Sequence, residues 1–176
     1  MNTQKLKLAA GIFLFTLLLP NASDAYFTTA QSATQINQNT ILYTVTYQFG
    51  FLNRELYMPI VATRDLATTS KDFRIGYSIL NGDTPTNLGT AQTIALSSDE
   101  DVQIKDGRYY LPDRKSAEFT LVTLLTVSPE LLAANPDLSL LVTNLPFLMI
   151  KDGVDVPAHL NPSELQYYRT PAVKVN

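Results

Sequence analysis

TILYTVTYQFGFL, residues 40–52, alternates with a period of two: Ile41, Tyr43, Val45, Tyr47 and Phe49 take the odd positions, and Thr44, Thr46 and Gln48 lie between them. Successive side chains of a strand point to opposite faces, so this spacing predicts a half-buried β-strand with one wholly apolar side.

The neighbouring segments follow the same logic. DFRIGYSIL (72–80) sets Phe73, Ile75, Tyr77 and Ile79 against Asp72, Arg74 and Ser78, which predicts a second half-buried strand. KSAEFTLVTLLTVS (115–128) places Ala117, Phe119, Leu121, Leu125 and Val127 on one face, but Val122 and Leu124 make the other face apolar too. A central strand covered on both sides is expected there. ELYMPIVAT (55–63) is apolar on both faces and holds Pro59, which cannot donate to a ladder, so it is expected near an edge or a bulge, after a tight return through residues 51–54.

Asn81-Gly82-Asp83, Lys105-Asp106-Gly107 and Lys151-Asp152-Gly153 supply the positive φ angles of tight hairpins, with DVQI and RYYL paired across the second. SPELLAANPD (128–137) has a cap at Ser128 and a first-turn proline at Pro129, so it predicts a short helix that Pro136 stops. No long amphipathic helix interleaves with the strands. The expected fold is therefore all-β: a single antiparallel β-sandwich of about eight short strands, immunoglobulin-like in the broad sense, with a barrel as the alternative.

The N-terminus has Lys5 and Lys7, then an apolar stretch from Leu8 to Leu19, then Pro20 and the small residues Ser23 and Ala25. This is the layout of a secretory signal peptide. Its apolar run falls short of the roughly 20 residues that span a bilayer. Cleavage after Ala25 is expected, which leaves residues 26–176 as one domain without a stable membrane anchor. Losing Lys5, Lys7 and Asp24 takes 13 basic and 16 acidic residues to 11 and 15, a side-chain charge of −4. A chain with scattered charges and no basic field is not expected to bind nucleic acid, whose affinity rests on Lys and Arg. The absence of cysteine excludes both a lipidated mature N-terminus and a disulfide framework.

Chemistry-bearing residues are few. The one histidine, His159, sits near Ser163 in a proline-rich segment with no glycine-flanked nucleophile turn, so catalysis there is not expected. Asp99, Glu100 and Asp101 are the candidate calcium ligands, although the spacing is not that of an EF-hand loop. Tyr109-Tyr110 and Tyr167-Tyr168 are the candidate platforms for a sugar ring. Adjacent strand residues face opposite ways, so one tyrosine of each pair should point outward, with Tyr110 and Tyr168 as the candidates. No cofactor motif is present and no enzyme activity is expected.

Two segments could act as arms. TTAQSATQINQNT (28–40), poor in charge, reads as an edge strand or, from residue 26, as an arm that pairs with a neighbour. In LNPSELQYYRTPAVKVN (160–176), residues 164–169 read as a final strand and 170–176 as an exit or a second arm. YQFGFLNRELYMP (47–59) and LNPSELQYY (160–168) resemble segments of small uncharacterised exported bacterial proteins. That resemblance spans most of the mature chain and implies export and a β-rich fold, with no site residues to carry over. The functional expectation is an exported, non-enzymatic protein of the cell surface, periplasm or extracellular space. Its partner would be another protein or a second copy of itself joined by strand addition, and the alternative is a glycan- or calcium-binding module.

Overall fold

The computed structural model describes residues 15–17, 25–51, 54–67, 69–97 and 99–175 of the 176. The predicted signal segment lies outside the described residues except for Phe15–Leu17 and Ala25. The strands are β1 (Phe15–Leu17), β2 (Ala25–Asn37), β3 (Thr40–Phe51), β4 (Glu55–Pro59), β5 (Ala62–Arg64), β6 (Ile75–Asn81), β7 (Thr84–Pro85) and β8 (Thr90–Ser97). They continue as β9 (Gln103–Lys105), β10 (Arg108–Leu111), β11 (Ser116–Thr126), β12 (Asp137–Asn144), β13 (Pro146–Lys151), β14 (Val154–His159) and β15 (Val173–Lys174). Helix α1 (Pro129–Ala133) precedes β12 and helix α2 (Pro162–Leu165) precedes β15.

Three sheets form. A long sheet has the order β1-β2-β3-β11-β8, and a short sheet has the order β15-β12-β6-β5 with β7 also on β6. A third, the cap sheet, has the order β14-β13-β4-β10-β9. Every pairing is antiparallel except β5 with β6. The predicted all-β, antiparallel, layered class therefore holds, with more strands and one more sheet than expected. Each Asp-Gly hairpin adds short strands, and β12 passes through the fully buried Leu145 into β13 of the extra sheet.

One core fills the space between the sheets. Ile41, Tyr43, Val45, Tyr47 and Phe49 all point into it, each 1% exposed or less, as the alternation of residues 40–52 predicts. From β11 they meet Ala117, Phe119, Leu121 and Leu125, and from the short sheet Ile75, Tyr77, Ile79, Leu138, Leu140 and Val142. Tyr47 stacks on Phe119 at 5.9 Å between ring centroids and lies 6.4 Å from Tyr168 across the layer. Phe49 meets Phe147 of the cap sheet at 5.4 Å. Aromatic pairs at such spacings add about 0.5–1.5 kcal/mol beyond the area they bury.

All three hairpins form where predicted: β6–β7, β9–β10 and β13–β14. Asp106-Gly107 and Asp152-Gly153 have positive φ at both turn positions, the geometry that matches strand twist. Helix α1 forms with Ser128 Oγ accepting from the Leu131 N–H at 3.3 Å.

Four expectations are corrected. β6 is buried on both faces, because the segment after β5 covers Gly76 and Ser78: a Cβ on Gly76 would lie 2.9 Å from Leu66. β11 is central in its sheet, yet only one face is fully buried; Val122 and Leu124 on the other are half-buried. ELYMPIVAT divides at Ile60-Val61 into β4, central in the cap sheet, and β5 at an edge of the short one. β4 does not return along β3, and residues 52 and 53 of that connection lie outside the described residues.

The tail is the fourth. Residues 162–165 form α2, not a strand, because Pro162 opens the turn and the Glu164 carboxylate accepts from the Asn161 N–H at 2.6 Å, half of a capping box. Residues 170–175 are no arm: Thr170 exchanges hydrogen bonds with Leu140 at 2.8 and 2.9 Å, β15 pairs with β12, and Val175 is fully buried. Arg169 anchors the same segment through Ser139 Oγ at 3.1 Å and Asp83 Oδ1 at 2.7 Å. Residues 25–37 form the long strand β2, which lies between β3 and β1 rather than at the sheet's end, with β1 pairing only along Phe27–Thr29.

Candidate interaction surface

An edge strand presents a row of unpaired backbone donors and acceptors, and natural sheets blunt such edges with short strands, charges or proline. Most edges here are blunted in that way. β9 has three residues and ends in Lys105; β15 has two and ends in Lys174. β5 has three with Arg64, β7 has two with Pro85, and β14 carries Asp155 and Pro157.

The long sheet departs from this. β2 runs for 13 residues and β8 for 8, and neither contains a charged residue or a proline. β8 pairs with β11 on one side and with no described strand on the other. β1 pairs with β2 only along Phe27–Thr29, so Ala30–Asn37 have no strand partner on that side among the described residues.

The direction of the free backbone groups follows from two contacts. The Glu118 N–H donates to Asp99 Oδ2 at 2.6 Å, and the Glu118 carbonyl accepts from Ser97 Oγ at 2.8 Å, so this residue's backbone faces the β8 side. Backbone groups alternate along a strand, so Thr120, Val122 and Leu124 also address β8, through Leu96, Ile94 and Gln92. Ala91, Thr93 and Ala95 therefore turn their backbone groups away from the sheet. Ala95 conforms: its carbonyl accepts from the Tyr109 hydroxyl at 3.0 Å rather than from β11. The same alternation carried across β3 leaves Gln31, Ala33 and Gln35 facing outward on β2, in phase with Phe27 and Thr29, which β1 takes.

β8 is held at its start. Arg64 reaches across from β5 to donate through Nη1 to the Gly89 carbonyl at 2.9 Å and through Nη2 to the Thr86 carbonyl. Gly89 has φ +107°, and a Cβ there would lie 2.7 Å from the Thr126 carbonyl oxygen. Only glycine fits this close approach.

The sequence-predicted ligand residues lie elsewhere and do not converge. Asp99 is taken by the Glu118 N–H, and Asp101 pairs with Lys115 at 3.1 Å. Glu100 is exposed beside them, and no three histidine or carboxylate groups come together among the described residues. Tyr168 is corrected as an outward platform: it is 1% exposed, because its segment turns out of α2 into the core instead of forming a strand. Burial pushes its hydroxyl above the ordinary tyrosine range, and nearby Glu164 adds to this. Tyr110 does sit on the outer side of the cap sheet, its ring 5.1 Å from Tyr57, but it is only 7% exposed and Lys105 Nζ lies 3.2 Å over its ring. Desolvation first, then a hydrogen bond with Glu55, raises the Tyr110 hydroxyl's pKa.

His159 is exposed at the end of β14, opposite Pro146, and Ser163 is exposed in α2. A shallow cleft of about 490 Å³ beside β6 is lined by one carboxylate, Asp65, which accepts from Ser78 Oγ at 3.4 Å. A second, of about 220 Å³, gathers Arg54, Glu55, Asp113 and Asp152 at the end of the cap sheet.

Sequence reasoning flagged the uncharged run before β3 but not β8. The signal for β8 is present in TAQTIALS, which alternates, lacks charge and proline, and follows a glycine.

No protein-family model matches the chain, and no curated protein is similar to it. Among solved structures, the crystal structure of yeast GGA1_GAE domain-P21 aligns over 81% of this chain and 92% of that one, with 7% sequence identity and a TM-score of 0.29. At that score the likeness carries no argument.

Proposed function

We propose that this chain is an exported, non-enzymatic interaction protein, immunoglobulin-like in the broad sense, that assembles with copies of itself by strand addition along its long sheet. The observation that carries this reading is the contrast among edges: in one sheet β8 is last at one end, β2 at the other end meets β1 only along Phe27–Thr29, and neither long strand contains the charged residues or prolines found on the other edges. β8 of one copy beside β2 of the next extends the sheet through backbone hydrogen bonds. Because the two surfaces differ, the contact is heterologous and propagates as an open chain. Cleavage after Ala25 fits this role, since it removes β1 and frees the whole outer edge of β2.

The test is sedimentation velocity on the exported chain, its N-terminus read by mass spectrometry, against the Ala91→Pro variant. Position 91 is an outward-facing, half-buried edge site where proline removes one free N–H. Wild type should form larger species as concentration rises, and Ala91→Pro should shift that onset upward by about tenfold, the loss of roughly one hydrogen bond's worth of contact. If circular dichroism shows Ala91→Pro unfolded, Thr90→Lys with Gln92→Lys blunts the same edge. A wild-type monomer throughout, or folded edge variants that assemble like wild type, would overturn the reading.

A further inference from the structure

The outer face of the long sheet has an unusual composition. Its rows run Ala30–Thr46–Thr120–Leu96, Ser32–Thr44–Val122–Ile94 and Thr34–Leu42–Leu124–Gln92 across β2, β3, β11 and β8. None of these twelve residues is charged, and Glu118 is the one charged residue in all four strands. Ile94 and Leu96 are 52% and 43% exposed, and Ile36 at the β2 bulge is 50% exposed. The hydroxyls are turned sideways: Ser32 bonds Thr44, and Thr46 bonds Thr120 at 3.1 Å. Lateral pairing satisfies those groups within the sheet, which lowers the cost of removing the face from water.

We infer that this face is a second interface, on which the long sheets of two copies of this chain stack back to back. Three considerations select a second copy. First, Val122 and Leu124 have the sequence pattern of a strand covered on both sides, yet in the single chain they are only half-buried. Second, the exported chain carries a side-chain charge of −4, and a two-fold contact sets residues near its axis beside their own kind, which an uncharged face accommodates without like-charge repulsion. Third, four strands about 4.8 Å apart and seven residues long give a footprint of roughly 450 Å². Two copies together bury roughly 900 Å², below the roughly 1,200 Å² at which stable specific interfaces begin and within the size of weak, transient contacts. Such a contact is weak and reversible alone and strengthens when edge-joined chains present many copies of it. The geometry is that of a β-sandwich, with inner faces about 10 Å apart.

The chain has no cysteine, so single-cysteine variants report cleanly. Val122→Cys, at the centre of the face, and Ile104→Cys, 68% exposed on the cap sheet, are compared in the exported chain with a short bismaleimide. Val122→Cys should give cross-linked dimers about tenfold faster than Ile104→Cys, because the two-fold raises its effective concentration. Val122→Lys, which places a charge opposite its own copy, should remove the dimer in sedimentation equilibrium while leaving the thermal midpoint within a few degrees. Equal cross-linking at both positions, or a folded Val122→Lys that dimerises like wild type, would overturn the inference. Ala91→Pro tests the edge separately: dimers that survive there but not in Val122→Lys place the contact on the face, and the reverse places it at the edge alone and refutes the face.

Discussion

The long sheet and the cap sheet solve the same problem in opposite ways. Both have a buried face and an outer one, yet the cap sheet closes its edges with Lys105, Asp155 and Pro157 and covers its outer tyrosine with Lys105, while the long sheet leaves two uncharged edges and an uncharged face. Exposed, uncharged sheet is a liability for a monomer. Its restriction to one sheet points to use.

Alkaline titration separates interior from surface most sharply. Burial raises the hydroxyls of Tyr43, Tyr47 and Tyr168 far above the ordinary range, whereas those of Tyr57 and Tyr110, though also raised, lie near the cap-sheet surface. A raised folded-state pKa means that the fold holds the neutral phenol. That stability is fully present below the unfolded value near 10 and is lost as pH rises beyond it. The expected result is cooperative unfolding above about pH 10, with the last tyrosinate absorbance appearing together with the loss of β circular dichroism. Ionisation of all nine tyrosines without loss of structure would break the contrast.

Substitutions on the two faces of β3 sharpen it. Tyr47→Ala removes a ring that touches Phe49, Phe119 and Tyr168 and should cost about 3–5 kcal/mol in denaturant melts. Thr44→Ala, on the outer face of the same strand, should cost under about 1 kcal/mol, the worth of one exchanged side-chain hydrogen bond. Equal costs would mean that the outer face is itself load-carrying core. Gly89→Ala should cost about 1–3 kcal/mol, since it forces a Cβ into the Thr126 carbonyl at an angle that L-residues avoid. Hydrogen exchange should then rise in β8 before it rises in β3.

The legible parts of this fold are those set by neighbours in sequence. The alternation of β3, the Asp-Gly hairpins and the Ser128 cap each need only a few adjacent residues. The tail departs from expectation because the alternation from Leu165 is weak, while the real signal is Asn161-Pro162 with Glu164 three residues after the cap. The two-sided burial of β6 depends on a segment that only the tertiary fold brings over Gly76. At the site the order reverses. The acidic run and the paired tyrosines were conspicuous in sequence but do not converge, whereas β8 is plain in composition and acquires its interest from lying last in its sheet.

The smallest expected effect carries its information in its sign. Tyr43 projects from β3 into the core beside Val45 and Ile41, and its buried hydroxyl has no hydrogen-bond partner among the described residues. A buried, unsatisfied hydroxyl costs on the order of 1–3 kcal/mol relative to an apolar group of the same shape. Tyr43→Phe keeps the ring and should therefore leave the protein as stable as wild type or more so, by up to about 1 kcal/mol once the partial hydration of such groups is counted. Thr123, equally buried on the adjacent strand, shares its hydroxyl with Thr93 at 3.1 Å, and Thr93 in turn meets the Tyr77 hydroxyl at 2.7 Å. Thr123→Val should go the other way, losing about 1 kcal/mol by breaking a network that ties β8 to the short sheet. If Tyr43→Phe destabilises instead, the phenol has a partner, and the inner face of the long sheet is less purely apolar than its strand alternation implies.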